Sequence, residues 1–356
     1  MSDVKCEKKG MKIPTYIPKK AHELPMFFEN KPYQGASGRV YPIPYCDGIS
    51  DEKTDVEYET YTLENEYVKT QVVPALGGKI LRGFDKIGNY DFIYYNEVVK
   101  PALVGLAGPW ISGGIEFNWP QHHRPTTFMP LEAVEEDNPD GGKTVWTGEV
   151  EPFGRMKGMA GITVDKGRSY IKAKVRVYNR TAFPQVFMWW ANLAVPVNNA
   201  YRTVFPPDCE WVNDHDRRAV LEWPIAKGLY KTARPYNFGK GTDLSHYDAV
   251  KVPSSYLISQ GQSDMDFISG YDTGINKGIA TVANHHISPG KKMWHWGIGD
   301  FGDMWCSNLT DKNGPYIELM TGVYTDNQPD FTWIAPYETR EFEQYWYPVR
   351  EIGEIK

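Results

Sequence analysis

Helical periodicity is nearly absent from this chain of 356 residues, and what replaces it is alternation of apolar and polar residues. That points away from helix-built folds and toward an all-β one. A basic surplus is also missing: the formal charge is -6 and the pI about 5.8, so no run of positive charge is available for nucleic-acid phosphates, and acidic polymers are poor candidates as substrates. No apolar run approaches the ~20 residues of a membrane span, and no apolar core follows Met1-Ser2-Asp3-Val4-Lys5, so neither a membrane partner nor a secretory signal is expected and a cytoplasmic location is. Cysteine is sparse. Cys6, Cys46, Cys209 and Cys306 are widely scattered with no Cys-x-x-Cys spacing, so neither a disulfide framework nor a zinc knuckle is indicated and free thiols are expected. Internal repeats and low-complexity segments are absent too.

Aromatic residues, by contrast, are abundant at 14%, with 12 Trp and 23 Tyr. Large amphipathic rings fill sandwich cores, and they also stack on the apolar faces of sugars while hydroxyls meet nearby polar groups. Residues 1–55 carry Pro14, Pro18, Pro25, Pro32, Pro42 and Pro44 and read as an extended proline-rich arm laid over a main domain of residues 56–356. Within that domain Tyr58–Leu63 and Tyr67–Val73 form a hairpin, and strands recur at Tyr90–Tyr95, Lys143–Glu151, Met159–Val164, Tyr170–Asn179, Phe183–Val197, Ile279–His286, Lys292–Gly297 and Glu341–Tyr347. Glu132–Asp140 reads as an acidic loop, Asp208–Arg218 as a polar loop, and Pro224–Ser255 as irregular chain.

Two strands carry carboxylates in uncomfortable places. In Tyr316–Met320, alternation sets Ile317 and Leu319 on one face and Glu318 with Tyr316 and Met320 on the other, and both faces are at least half buried. Glu318 must therefore be hydrogen-bonded, shifted in pKa or beside a wet cleft; an ion-paired structural glutamate is the plainer alternative to an acid or base. In Ser112–Pro125, Glu116 and Asn118 share a face and the following loop carries His122, His123 and Arg124, with Trp119 on the opposite face. So dense a polar constellation, held by glycines and prolines, suits a cleft better than an exposed edge. Adjacent histidines on an irregular loop point apart, so neither a metal nor another cofactor is expected. His215, fenced by Asp214 and Asp216, is a proton-donor candidate or a solvated loop residue. Trp294 and Trp296 share a face that His295 opposes, and Tyr324, Asp326 and Gln328 add hydrogen-bonding groups after Glu318. The apolar run Val186–Val195 reads as a buried central strand whose Asn192 must find partners, with Trp190 beside it.

Leu63-Glu64-Asn65, Pro74-Ala75-Leu76-Gly77-Gly78-Lys79-Ile80, Asp85-Lys86 and Gly88 together resemble the opening of the galactose mutarotase-like superfamily, with the likeness running from about Tyr58 to Pro348. The resemblance implies a large antiparallel β-supersandwich, a sugar ligand, and Glu318 in the place of the general base of the aldose 1-epimerases. It also implies that the two epimerase histidines have no counterpart here: Ser112 precedes the glycine pair, and Met188 stands four residues before Asn192. The expected function is acid/base chemistry at or near an anomeric carbon, as in an aldose 1-epimerase-like isomerase of carbohydrate metabolism, with the acid drawn from His122, His123, His215 or His295. Two alternatives stand beside it. One is a glycoside hydrolase using Glu116 and Glu318, which needs carboxyls ~5 Å apart for retention or roughly 6.5–9.5 Å apart for inversion. The other is a non-catalytic carbohydrate-recognition module. Substrate-binding groups would be Asn118, Trp119, Arg124, Trp190, Asn192, Trp294, Tyr324, Asp326 and Gln328. The partner is a small-molecule sugar or oligosaccharide, and a longer relative is expected to carry a helical-repeat module.

Overall fold

The computed structural model describes residues 3–23, 43–121, 123–214, 219–230, 236–258, 261–324 and 331–353. Its frame is an antiparallel β-supersandwich of two large sheets. The larger has twelve strands, in the order Lys5–Pro18, Ile49–Glu64, Val68–Val73, Lys79–Asp85, Ile115–Asn118, Trp189–Pro196, Tyr316–Val323, Gly290–His295, Ser254–Ile258, Trp211–Asp214 and Val220–Glu222, with Tyr90–Ile93 paired beside Lys79–Asp85. The smaller has eight, in the order Tyr201–Val204, Phe267–Asp272, Lys277–Val282, Thr339–Arg350, Ile171–Tyr178, Lys157–Val164, Lys143–Val150 and Glu132–Asp137.

Alternation explains how these sheets stack. Ile115, Phe117, Trp189, Leu193, Ile317 and Leu319 of the larger sheet are buried against Ile162, Ile171, Val175, Phe342 and Trp346 of the smaller one. Phe117 stacks on Trp189 at 5.3 Å, and Trp189 meets Phe342 edge-on at 5.4 Å. Each such ring contributes on the order of 3 kcal/mol by leaving water. One polar link crosses this layer: Trp189 Nε1 donates to Gln344 Oε1 at 3.0 Å, and Gln344 Nε2 donates to Thr321 Oγ1 at 2.9 Å. Because the inward faces of the central strands are apolar, their outward faces are the place where polar side chains gather.

Several sequence expectations change. Lys5–Pro18 is not an arm lying across the domain but an edge strand, paired with Ile49–Glu64 from Lys5↔Glu64 to Pro18↔Ile49. An edge tolerates the missing donor of Pro14. The acidic stretch is also an edge strand, Glu132–Asp137, where charge guards against further pairing and Lys143 bridges Glu135 and Asp137 at 2.8 and 2.5 Å. Part of the expected polar loop, Trp211–Asp214, pairs as a strand with Ser254–Ile258. Phe183–Val197 splits into Gln185–Phe187 and Trp189–Pro196, and short two-residue strands punctuate the chain from Ile225 to Asp243. An unexpected α-helix spans Asp300–Leu309, with Asp300 and Asp303 in its first turn, where the helix dipole favours negative charge. Among the described residues no helix is long and apolar enough to cross a membrane.

Candidate active site

Strand register assembles a polar cluster on the outward face of the larger sheet. Asn192 lies opposite Glu116 on one side and Met320 on the other, and Trp190 lies between Asn118 and Gly322. Across the next ladder Trp294 is opposite Glu318, and Lys292 is opposite Met320. Lys79 precedes Ile80, which pairs with Ile115, so Lys79 projects to the same face as Glu116. Small residues make room: Ala194 is the partner of Glu318, and the Trp190 ring lies over Gly322, where a Cβ would come within 2.6 Å of it. Gly114, at φ +65°, turns the chain into the Glu116 strand, where a Cβ would meet the Ile80 carbonyl oxygen at 2.0 Å.

Glu116 is fully engaged. Trp110 Nε1 donates to its Oε2 at 2.8 Å, Thr127 Oγ1 donates to Oε1 at 2.7 Å, and His123 Nδ1 stands 3.2 Å from both oxygens. Burial pushes its pKa up, but His123, Trp110 and the Lys79 charge more than offset this and hold the carboxyl at about 2. Glu116 thus remains anionic and structurally committed at neutral pH.

Glu318 is equally buried and poorly supplied. Its described contact is a long one, Asn192 Nδ2 to Oε2 at 3.5 Å. Burial, and then the Glu116 charge, raise its pKa to about 8 against the pull of Lys292 and Lys79. Burial lowers both lysines to about 8, opposed by Glu116 and Glu318 at Lys79 and by Glu318 at Lys292. Lys79 Nζ donates to the carbonyls of Ile111 and Ser112 at 2.9 and 3.2 Å, which ties down the loop before Glu116. Lys292 Nζ sits 5.5 Å from the centre of the Trp190 ring, a cation–π placement. Around them, both amide atoms of Asn118, Asn192 Oδ1, Trp190 Nε1 and Trp294 Nε1 are buried with no hydrogen-bond partner among the described residues. Buried polar atoms are ordinarily paired, so this concentration beside a buried carboxyl makes the face a candidate site for a polar ligand.

The structure brings together Glu318, Glu116, His123, Asn118, Asn192, Trp190 and Trp294, and separates others. His295 belongs to the inward face, with Nε2 donating to the Tyr247 carbonyl at 2.9 Å and Nδ1 accepting from Gly297 N at 2.7 Å. Burial lowers its pKa to about 4, so it is a neutral structural group and not the acid beside Glu318. Trp119 also turns inward, into the core against Gly158. Arg124 spends its donors on Phe117 O at 2.9 Å, Gly77 O at 2.6 Å, Thr126 Oγ1 at 2.8 Å and Glu149, so it braces the loop and is not placed to meet a substrate. Tyr324 packs edge-on against Phe342, with Arg340 over its ring, away from the cluster. His122, His215, Asp326 and Gln328 lie outside the described residues. The two expected histidine slots hold no acid: Met188 is buried with Trp190 and Met320, and Ser112 Oγ donates to the Leu309 carbonyl at 3.2 Å. Among the described residues no group of three or more His, Cys, Asp or Glu side chains is arranged to hold a metal ion.

Sequence reasoning missed Lys79, Lys292, Trp110 and Thr127. Lys292 had a signal, since it shares alternation parity with Trp294 inside a strand, where a buried charge is costly.

Residues 36–349 match the family described as Domain of unknown function (DUF5107). The fold is similar to that of a TPR-domain containing protein from Parabacteroides distasonis ATCC 8503, with a TM-score of 0.84 at 22% identity over 99% of this chain and 56% of that one. This chain thus spans just over half the length of that protein. A galactose mutarotase-like protein from Clostridium acetobutylicum matches at a TM-score of 0.56, with 10% identity, 83% of this chain and 96% of its own covered. A galactose mutarotase related enzyme from Lactobacillus acidophilus matches at 0.54, with 9% identity, 83% of this chain and 99% of its own covered. At these identities the likeness is one of fold, and the fold is galactose mutarotase-like.

Proposed function

Starting from the premise that this chain belongs to the DUF5107 family, whose description assigns no activity, we propose that it is a carbohydrate-active enzyme moving protons at an anomeric carbon, in the manner of an aldose 1-epimerase. The observation that carries the reading is Glu318, a buried carboxyl with one long hydrogen bond and a pKa of about 8, set among buried polar atoms that have no partner among the described residues. The resemblance in fold to mutarotase-like proteins supports a sugar as the ligand.

In this reading the Glu318 carboxylate removes the proton of the anomeric hydroxyl, and Lys292, on the same sheet face, gives a proton to the ring oxygen. The ring C–O bond breaks as the anomeric carbon becomes a carbonyl, and rotation followed by reclosure returns both protons and leaves the other anomer. Lys292 takes the role of the absent histidines. Proton transfer of this kind contributes roughly 10²–10⁴ in rate for each positioned group.

The two-carboxylate glycosidase reading has less support, because Trp110, Thr127 and His123 occupy both oxygens of the buried Glu116 and leave it engaged with the protein and not with a glycosidic bond or a water. A binding module is the reading that a direct test separates. Anomer exchange of free aldoses, followed by NMR, should fall at least about 10²-fold in Glu318→Gln and in Lys292→Met while the fold persists. Sugar binding with no exchange in the wild type would replace the enzyme with a recognition module. Exchange that survives Glu318→Gln would remove Glu318 from the mechanism.

A further inference from the structure

The aromatic rings beside Glu318 do not stop at the buried cluster. Trp294, opposite Glu318 in the ladder, meets Trp296 edge-on at 5.4 Å, and Trp296 lies 5.2 Å from Trp305 on the Asp300–Leu309 helix. Trp305 meets Phe301 at 6.4 Å, and Phe301 and Met304 are each 44% exposed on that helix. Ring-to-ring steps of 5.2–6.4 Å therefore run from Trp294, the ladder partner of Glu318, out to the solvent-exposed Phe301.

A polar edge accompanies the first part of this track. Ser255, 3% exposed and opposite Trp294 on the next strand, has an Oγ with no hydrogen-bond partner among the described residues, and Trp294 Nε1 is in the same condition. The Asp300–Leu309 helix buries Gly302 and Leu309 but leaves Phe301 and Met304 exposed. These two apolar side chains lie at the end of a ring path that begins beside the candidate acid/base group. Ring faces flanked by unpaired hydrogen-bonding groups are the surface that a chain of pyranose units presents a match for, with apolar C–H faces on rings and hydroxyls on donors and acceptors.

We infer that the ligand is an oligosaccharide, its terminal unit at Glu318 and its following units carried over Trp294, Trp296 and Trp305 to Phe301 and Met304. The inference rests on the carbohydrate reading above and adds the length of the ligand to it. The track makes a free monosaccharide a partial ligand, contacting only the buried end.

The test is calorimetric titration of the full chain with mono-, di- and trisaccharides of glucose, galactose and mannose, together with NMR anomer exchange on the same sugars. Affinity for the preferred series should rise with length. The exposed-residue double variant Phe301→Ala/Met304→Ala should lose about threefold to tenfold of its trisaccharide affinity while its monosaccharide affinity and exchange stay unchanged. Affinity that does not depend on length, or a trisaccharide affinity untouched by the double variant, overturns the track and leaves the exchange reading standing. Length-dependent binding lost in the double variant, with no exchange on any sugar, keeps the track and overturns the acid/base reading. No binding of any of these sugars overturns both.

Discussion

Glu116 and Glu318 stand on strands separated by a single intervening strand, on the same face of the same sheet, and are 5% and 6% exposed, yet they are opposite kinds of carboxyl. Glu116 is met by an indole, a hydroxyl and an imidazole and stays ionised; Glu318, among the described residues, is met by one distant amide, and burial holds its pKa up at about 8. Burial alone does not decide the chemistry of a buried acid. What decides is how many donors the neighbouring segments deliver, and Trp110, His123 and Thr127, from the chain on either side of the Glu116 strand, serve only one of the two.

Removing the engaged carboxylate should have the largest effect on stability. Glu116→Gln leaves His123 and Lys79 facing a neutral group, and urea unfolding at pH 7 should show a loss of about 3–5 kcal/mol. If Glu116→Gln unfolds like the wild type, the claimed asymmetry is gone.

The reverse should hold at the other carboxyl. Because the folded-state pKa of Glu318 is raised above its usual value of 4.5 to about 8, the folded form holds the proton more tightly, and the stability this contributes is fully present below about 4.5 and lost as pH rises through 8. Glu318→Gln should therefore stabilise the protein by roughly 2–4 kcal/mol at pH 9 and by about nothing at pH 4.

A third expectation concerns activity. The competent state needs Glu318 ionised and Lys292 protonated, and both titrate near 8, so anomer exchange should follow a narrow bell centred near pH 8, rising with pH below it and falling above it. Lys292→Met should flatten the falling limb. A broad plateau from pH 5 to 7 would mean that Glu318 ionises like an ordinary carboxylate.

The smallest effect is expected at Thr127→Val, which withdraws one of the donors to Glu116. It should cost about 1–3 kcal/mol in thermal or urea unfolding at pH 7, with little change in the midpoint of the bell.

Much of this was legible in the chain. Alternation placed Glu318 and Glu116 on polar faces of otherwise apolar strands, and the hairpin at Tyr58–Val73 appears as Ile49–Glu64 paired with Val68–Val73. Alternation was also strong enough to rule on residues taken together. Trp294 and His295 point to opposite sides of one strand, as do Asn118 and Trp119, so no single cleft could hold both members of either pair. Which member faced outward depended on the pairing of Gly290–His295 with Tyr316–Val323, a contact between distant segments that local pattern does not encode. Lys79 escaped notice for a related reason. Beside two glycines it reads as an ordinary surface charge, and only pairing of Ile80 with Ile115 brings it to Glu116. The Asp300–Leu309 helix was hidden by its length, ten residues in a chain where alternation dominates.

The ladder from Trp189↔Val323 to Pro196↔Tyr316 also sets how this protein tolerates the loss of a residue. Side chains alternate with a period of two, so deleting one residue inside Tyr316–Val323, or inserting one, would turn part of the strand over. Ile317 or Leu319 would then face Asn192 and Lys292, and Glu318 would be driven between Trp189 and the smaller sheet. Substitutions along this strand can be absorbed one at a time; a change of length there exchanges core for site in a single step.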